Sequence, residues 1–429
     1  MTTDDRFARN LSAWLVEDGA HRVPDHLAEV LVHSAATRQR PWWSSPERWL
    51  PVDTTLRPRP FTFPSAGRLL TVALLVLLAA AIAVFAIGSQ QHRLPPPFGL
   101  ARNGTIVTSH DGDIFAVDQV TAVERLLVGG DGYDFSPVYS RDGTKLVFLR
   151  SDGRPSSTPG VDVMLTMVVA NADGTGVHAV TPPTKDLDWF DWSPDSTRIA
   201  YVSAKQLFVV PAVGGELTRI RSTGPMHFPT WLPPDGKEIV YRLETMSPGI
   251  FAIPADGSGK RRELDMKAPL NEFDYQGIAV APDGKHIAFT RWPNNTDPAL
   301  PSIFAVDVAT GEEHGFPGMS DTGQRGAAYS PDGTRVAYAR IYPTGGYELV
   351  VANADGSGNE QTVGKRRPGP NDGADIDASW AFTPDGTALL VRYGSDDVGK
   401  GYVLPLDGSP TTELGSGVFQ FNDQQRLAP

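Results

Sequence analysis

The sequence predicts an all-β protein: a seven-bladed β-propeller, with six blades as the alternative, preceded by a short α-helical tail and one transmembrane helix. Three observations predict it. Six segments repeat one order: an aromatic or apolar run, a turn centred on Asp followed by Gly or Ser, then an alternating apolar strand. One uncharged run of twenty residues stands near the start, long enough to span ~30 Å of hydrocarbon at about 1.5 Å per residue. The composition holds 43 Gly and 37 Pro beside 40% hydrophobic residues, which is turn-rich and too apolar for a disordered chain.

Residues 1–68 form the expected cytoplasmic tail. DDRFARNLSAWLVEDGAHRV places Phe7, Leu11, Trp14 and Leu15 at helical spacing, and DHLAEVLVHSAATRQR repeats the pattern with Leu27, Val30 and Leu31. Two short amphipathic helices follow from that spacing. The segment RPWWSSPERWLP sets Trp42, Trp43 and Trp49 beside Arg40 and Arg48, which suits either a membrane interface or packing within the tail.

Residues 69–88 read LLTVALLVLLAAAIAVFAIG and predict the membrane helix. The preceding residues are too many for the n-region of a signal peptide, so the anchor is expected to stay uncleaved. Arg57, Arg59 and Arg68 lie close before the run, and only Arg93 and Arg102 follow closely. By the positive-inside rule this places the tail in the cytoplasm and the larger domain outside, on a single-pass cell-membrane protein. Residues 89–103, containing QQHRLPPPFGLAR, read as a Pro-rich linker.

Charge and composition exclude several function classes. Residues 1–68 hold nine Arg, no Lys and eight Asp or Glu, which leaves 29 basic and 42 acidic residues after them. An acidic domain is a poor partner for nucleic acid, whose phosphates need clustered Lys and Arg. The chain has no Cys, so disulfides, thiol catalysis and Cys-ligated metal centres are ruled out.

Residues 104–428 carry the repeats. They are SPVYSRDGTKLVFLR, FDWSPDSTRIAYVS, PTWLPPDGKEIVYRL, GIAVAPDGKHIAFTR, AAYSPDGTRVAYAR and SWAFTPDGTALLVRY, anchored on Asp142, Asp195, Asp235, Asp283, Asp332 and Asp385. The anchors are 53, 40, 48, 49 and 53 residues apart, a period that fits one four-stranded blade. The anchors themselves read as structural turn residues. A third strand follows in each, such as QLFVVPA or SIFAVDV, and the loops NADGTG, PADGSG and NADGSG open a fourth. These loops read as hairpin turns, because they lack the regular Asp spacing of a calcium loop; no metal or other cofactor is expected.

The two ends complement each other. TIVTS, DIFAVD and ERLLVG supply three strands at the start, and GVFQFNDQQRLAP supplies a first strand with its turn at Asp423. Their pairing makes a seventh blade and removes open sheet edges.

YSPDGTRVAYAR and DWSPDSTRIAYVS resemble the repeats of TolB-like propellers, the WD-repeat-like β-propellers of bacterial envelopes and of prolyl-peptidase lids. The resemblance covers residues 104–428 and implies the fold. It implies a ligand- or protein-binding role only loosely, since propellers host many functions. TolB-like proteins are typically soluble and periplasmic, and an anchored arrangement departs from that pattern. The layout of helical tail, single span and outer domain is similar to membrane anti-sigma factors, which implies a sigma factor at the tail as the alternative function. The His and Cys zinc motif of many such tails is missing.

Catalysis is not expected. A prolyl-peptidase lid needs a hydrolase partner with a Gly-x-Ser-x-Gly elbow, which is absent, and the nine His are scattered singly. A non-catalytic binding or sensing module, with a protein or peptide partner outside, is the expected function. Its site is sought at the channel rim. Counting back seven to nine residues from the anchors gives Asp134, Asp188, Asp274 and Asp377, with His227 and Arg325 in two other repeats. Converging carboxylates there would favour a cationic partner.

Overall fold

The structure is a computed structural model and describes residues 98–155, 163–221, 224–243, 249–264, 278–291, 300–316, 321–369, 378–394, 399–416 and 424–428. All belong to the unit Gln90–Pro429. The expected tail, membrane helix and most of the linker lie outside the described residues, as do Asp274, Asp377 and Asp423. Among the described residues no helix is long and apolar enough to cross a membrane.

Every regular element among the described residues is a β-strand. Blade 1 holds β1 (Arg102–His110), β2 (Asp113–Val117) and β3 (Glu124–Val128). Blade 2 holds β4 (Tyr133–Tyr139), β5 (Lys145–Ser151), β6 (Leu165–Asn171) and β7 (His178–Ala179). Blade 3 holds β8 (Leu187–Trp192), β9 (Arg198–Ser203), β10 (Gln206–Pro211) and β11 (Thr218–Ile220). Blade 4 holds β12 (Met226–Trp231), β13 (Glu238–Leu243), β14 (Gly249–Pro254) and β15 (Arg262–Glu263). Blade 5 holds β16 (Ala279–Val280), β17 (His286–Arg291), β18 (Ser302–Asp307) and β19 (Glu313–Gly315). Blade 6 holds β20 (Gly323–Tyr329), β21 (Arg335–Ile341), β22 (Tyr347–Asn353) and β23 (Gln361–Arg367). Blade 7 holds β24 (Ala378–Phe382), β25 (Ala388–Tyr393), β26 (Lys400–Pro405) and β27 (Thr412–Ser416), and β28 (Gln424–Leu427) returns to blade 1.

Seven four-stranded antiparallel sheets result, so the count is seven and not six. Blade 1 has the order β28-β1-β2-β3, and the others follow chain order from the inner strand outwards. The closing strand corrects one expectation. Residues 424–427, read as the turn after Asp423, are themselves the strand, pairing Gln424 with Ile106 and Leu427 with Arg102. The chain stays extended there because backbone groups of β1 need a partner on that side.

The repeated Asp explains the repeated turn. In blade 2, Ser140 Oγ donates to Asp142 Oδ1 (2.6 Å), and the Thr144 N–H and hydroxyl donate to the same oxygen (3.0 and 2.8 Å). The Lys145 N–H then donates to Ser140 Oγ (2.9 Å). The same side-chain set recurs around Asp195, Asp332 and Asp385. Asp235 and Asp283 accept the N–H of Lys237 and Lys285. A short carboxylate that bonds its own backbone two residues on stabilises the reversal locally.

The same turns lock neighbouring blades. Gly143 sits at φ +68°, and a Cβ built there would overlap the carbonyl oxygen of Arg426 in β28. Arg198 reaches across to the Gly236 carbonyl (3.2 Å) while lying over the Trp231 ring at 4.6 Å. Two indoles bridge in the other direction: Trp192 Nε1 donates to the Val138 carbonyl and Trp231 Nε1 to the Asp191 carbonyl.

The apolar core is divided between the blades. Each of the seven blade interfaces has its own buried cluster, from Val107 with Phe148 between blades 1 and 2 to Trp380 with Leu349 between blades 6 and 7. The seam between blades 7 and 1 is the thinnest, with Ile106, Val117, Leu390 and Leu414 as its buried members among the described residues. A hydrogen bond supplements it, from the Asp385 N–H to Asn103 Oδ1 (3.0 Å), and the closing strand is held further by Arg102 Nε to the Ala428 carbonyl (2.6 Å) within blade 1 and by Gln425 Nε2 to the Gly143 carbonyl (2.8 Å) of blade 2.

The turns also define one end of the channel. Each inner strand of blades 2, 3, 4, 6 and 7 ends at its Asp turn, and the segment before β1 runs across that end. Gly99 N–H donates to the Pro331 carbonyl (2.8 Å), Ala101 N–H to the Pro384 carbonyl (2.9 Å), and Arg426 Nη2 to the Gly99 carbonyl (2.6 Å). The inner strands begin at the opposite end.

Two outcomes follow for stability. Deleting residues 424–429 is expected to lower the chemical-denaturation stability by several kcal/mol, at about 1 kcal/mol per lost hydrogen bond, with β1 left as an open edge; an unchanged midpoint overturns the closure. The second concerns acid. At Asp332 burial pushes the carboxyl up, and hydrogen bonds from Ser330 and Thr334 outweigh it, so its pKa lies below the ordinary 3.8. Asp195 and Asp385 follow the same balance, and at Asp173 the Thr175 hydroxyl leads the lowering. The folded state therefore binds fewer protons, so this stabilisation is complete above pH 3.8 and is lost as pH falls through the lower folded values. The melting temperature is expected to decline below that pH, and Asp332→Asn is expected to shrink the decline.

A candidate recognition site at the bulged mouth of the channel

Near their starts the inner strands β4, β8, β12 and β20 are interrupted by β-bulges, between Phe135 and Val138, Leu187 and Phe190, His227 and Thr230, and Arg325 and Ala328. A bulge puts two residues opposite one and re-aims the side chains that follow. Three bulge residues take left-handed φ: Ser136 at +56°, Phe228 at +52° and Gly326 at +67°. Glycine at that position in β20 needs no strain; phenylalanine in β12 does, at a site where bulky side chains are unusual.

The six residues selected from sequence do not form one ring. Asp134 is 1% exposed, and Arg150 grips it with two bonds, Nε to Oδ1 and Nη2 to Oδ2, both 2.7 Å. Its backbone N–H also donates to the Gly112 carbonyl at 2.8 Å. The hydrogen bonds that Arg150 donates to Asp134 lead in raising the guanidinium above its ordinary value, against the pull of burial. Asp134 is thus an internal counter-ion rather than an open rim acid, since a buried carboxylate is retained only where it is paired.

Register separates the others. Asp134 opposes Arg150, eight residues past its anchor Asp142, whereas His227 and Arg325 oppose Arg242 and Ala339, seven past Asp235 and Asp332. One residue along a strand is the other face, so Gln324, opposite Arg340, is the blade 6 counterpart of Asp134. Arg325 is itself 4% exposed. Asp188 lies within the β8 bulge and is exposed, and His227 is half-buried. Asp274 and Asp377 lie outside the described residues. Among the described residues no group of three His, Asp or Glu is placed to hold a metal ion.

What the mouth does present is an aromatic pair that spacing from the anchors passed over. Trp189, in the β8 bulge, is 47% exposed, and its ring lies 4.3 Å from that of Phe228, in the β12 bulge, at a 39° tilt. The His227 ring stands 6.4 Å from Phe228, and Asp186 and Asp188 are exposed beside Trp189. An inner strand has no neighbour on its channel side, so an exposed ring there fronts the opening. A signal existed in the sequence: LDWFDW carries Trp189, Phe190 and Trp192 within six residues, and a strand that buries alternate positions needs fewer.

No family model matches this chain, and no curated protein matches it. Many solved structures do. TolB from Acinetobacter baumannii aligns over 76% of this chain and 82% of its own, with 17% identity and a TM-score of 0.49. A chain assigned as TolB from Agrobacterium tumefaciens aligns over 59% of this chain and 94% of its own, with 18% identity and a TM-score of 0.44. A prolyl endopeptidase aligns over 76% of this chain and 51% of its own, with 15% identity and a TM-score of 0.51. What is shared is the propeller fold. The third likeness corrects the expectation that this chain is no enzyme: the same fold occurs within an enzyme, so it gives no ground for excluding catalysis.

The two acids of the mouth are expected to respond oppositely to neutralisation. Asp134→Asn leaves Arg150 without its counter-ion and is expected to destabilise the domain by about 3–5 kcal/mol. Asp188→Asn is expected to stay within about 0.5 kcal/mol, as exposed substitutions do. Chemical denaturation of both variants checks this; equal effects would dissolve the distinction between the two sites.

Proposed function

We propose that this chain is a membrane-anchored binding and sensing protein, with residues 1–68 in the cytoplasm, residues 69–88 spanning the membrane and the propeller outside, where it takes a protein or peptide partner at the bulged mouth of its channel. The observation that carries the reading is the exposed Trp189 ring set against Phe228 on adjacent inner strands. Large aromatic rings left open at a concave site are what interfaces use as anchors. The opposite end of the channel is crossed by Phe98–Ala101, which leaves the bulged mouth as the freer approach. The orientation is supported by Arg57, Arg59 and Arg68 before the apolar run and by the acidic excess after it.

Two measurements test this. A reporter enzyme that works only outside the cytoplasm, fused after Pro429, is expected to be active; silence there, with activity when the fusion precedes residue 69, reverses the orientation. The chain has no Cys, so a single Cys introduced at the exposed Lys185, just before β8, can carry a photo-crosslinker in intact cells and leave Trp189 in place. A discrete adduct from that position, absent when the crosslinker sits at Gly408 on the turn end, is expected. Equal labelling from both positions overturns the assignment of the mouth.

A further inference from the structure

We infer that the Trp189–Phe228 pair is a cation-capturing platform, and that its occupant is a Lys- or Arg-bearing segment of a partner protein. The inference rests on the proposed binding role of the mouth and adds the chemistry of what binds. Three observations point the same way. The two rings meet at 4.3 Å with a 39° tilt, and Trp189 stays 47% exposed, so an indole face is open to a ligand. Trp is the aromatic that attracts a cation best. Asp186 and Asp188 are exposed on either side of Leu187, the residue where β8 begins, and among the described residues neither is engaged by a basic side chain as Asp134 and Asp191 are by Arg150 and Arg141.

The second observation is local strain kept in place. Phe228 holds φ +52° at a bulge position where β20 has Gly326 at +67° and β4 has Ser136 at +56°. A glycine would relieve that conformation, and at this one of the three bulges a large ring is kept in its place, set against Trp189. The third is charge. The residues after position 68 comprise 42 acids against 29 bases, so a basic segment is drawn toward the domain and an acidic one is repelled. The aromatic pair supplies a defined seat within that diffuse field, and the flanking acids hold the cation over it.

The full-length chain in nanodiscs of zwitterionic lipid, titrated with two unstructured decapeptides that differ only in Arg and Lys against Asp and Glu, tests the inference by calorimetry. The basic peptide is expected to bind, more weakly as salt rises, and Trp189→Ala is expected to reduce its affinity roughly 10-fold. Phe228→Gly is expected to raise the melting temperature while weakening the same binding, a combination that damage to the fold would not produce. Basic-peptide binding that Trp189→Ala leaves unchanged overturns the inference, because diffuse charge alone then accounts for it. Binding of the acidic peptide that requires Trp189 overturns the cationic class and leaves the mouth as the binding site. If neither peptide binds while a crosslinker at position 185 still gives its adduct in cells, the cationic class fails and the site stands; if that adduct is missing too, both readings fail.

Discussion

Closure of the ring governs the rest of this structure. A blade of four strands has two apolar faces and buries neither alone; each face is covered only by the next blade. Seven such faces can all be covered only if the seventh blade meets the first. The chain achieves this by lending its last strand to its first sheet, through the pairs Arg102–Leu427, Asn103–Arg426 and Ile106–Gln424. Blade 1 so completed meets blade 7 over a thin apolar cluster among the described residues, and the Asp385 N–H bonded to Asn103 adds to that contact. Arg426 shows the strain of that duty: burial first, and the nearby Arg141 second, push its guanidinium down to about 10.

The turns translate the local sequence into a circular lock. Asp142 and its counterparts are occupied by their own backbone and hydroxyl neighbours, which accounts for the repeat without any ligand. Because residues of the preceding blade fill the space beside the turn glycines Gly143, Gly236, Gly284, Gly333 and Gly386, a turn that seems purely local in sequence also sets the spacing of neighbouring blades. This end of the channel is further crossed by Phe98–Ala101. The structural contrast between the two ends thus comes from strand direction and from that segment, with packed turns at one end and bulged strand starts at the other.

The mouth illustrates how charge and aromatic surface divide their roles. Asp134 is closed off by Arg150 and belongs to the packing of blade 2, while Asp188, on the inner strand of the next blade, faces water. Identical residue types at similar distances from an anchor therefore do different things. The rings of Trp189 and Phe228 come from different blades and meet only because their strands are neighbours in the ring.

The sequence by itself determined the strand order within each blade and the Asp-Gly turns, favoured seven blades over six, and showed that the two ends complement each other; the sheets settled the count at seven. Those features repeat locally: a period of two in each strand and a carboxylate bonding its own backbone leave their mark within a dozen residues. It also identified TIVTS and DIFAVD as strands lacking an inner partner, which β28 supplies. The tertiary structure alone decided which residues share the mouth. The turn of blade 4 holds one residue more than that of blade 2, the Gly236 N–H reaching back to the Leu232 carbonyl where the Gly143 N–H reaches only to Ser140, so counting back from an anchor put Asp134 in line with His227 when the register sets them one step apart. It alone decided that QQRL pairs as a strand and that Asp134 is buried, because both depend on what lies across the ring rather than on what lies beside them in the chain.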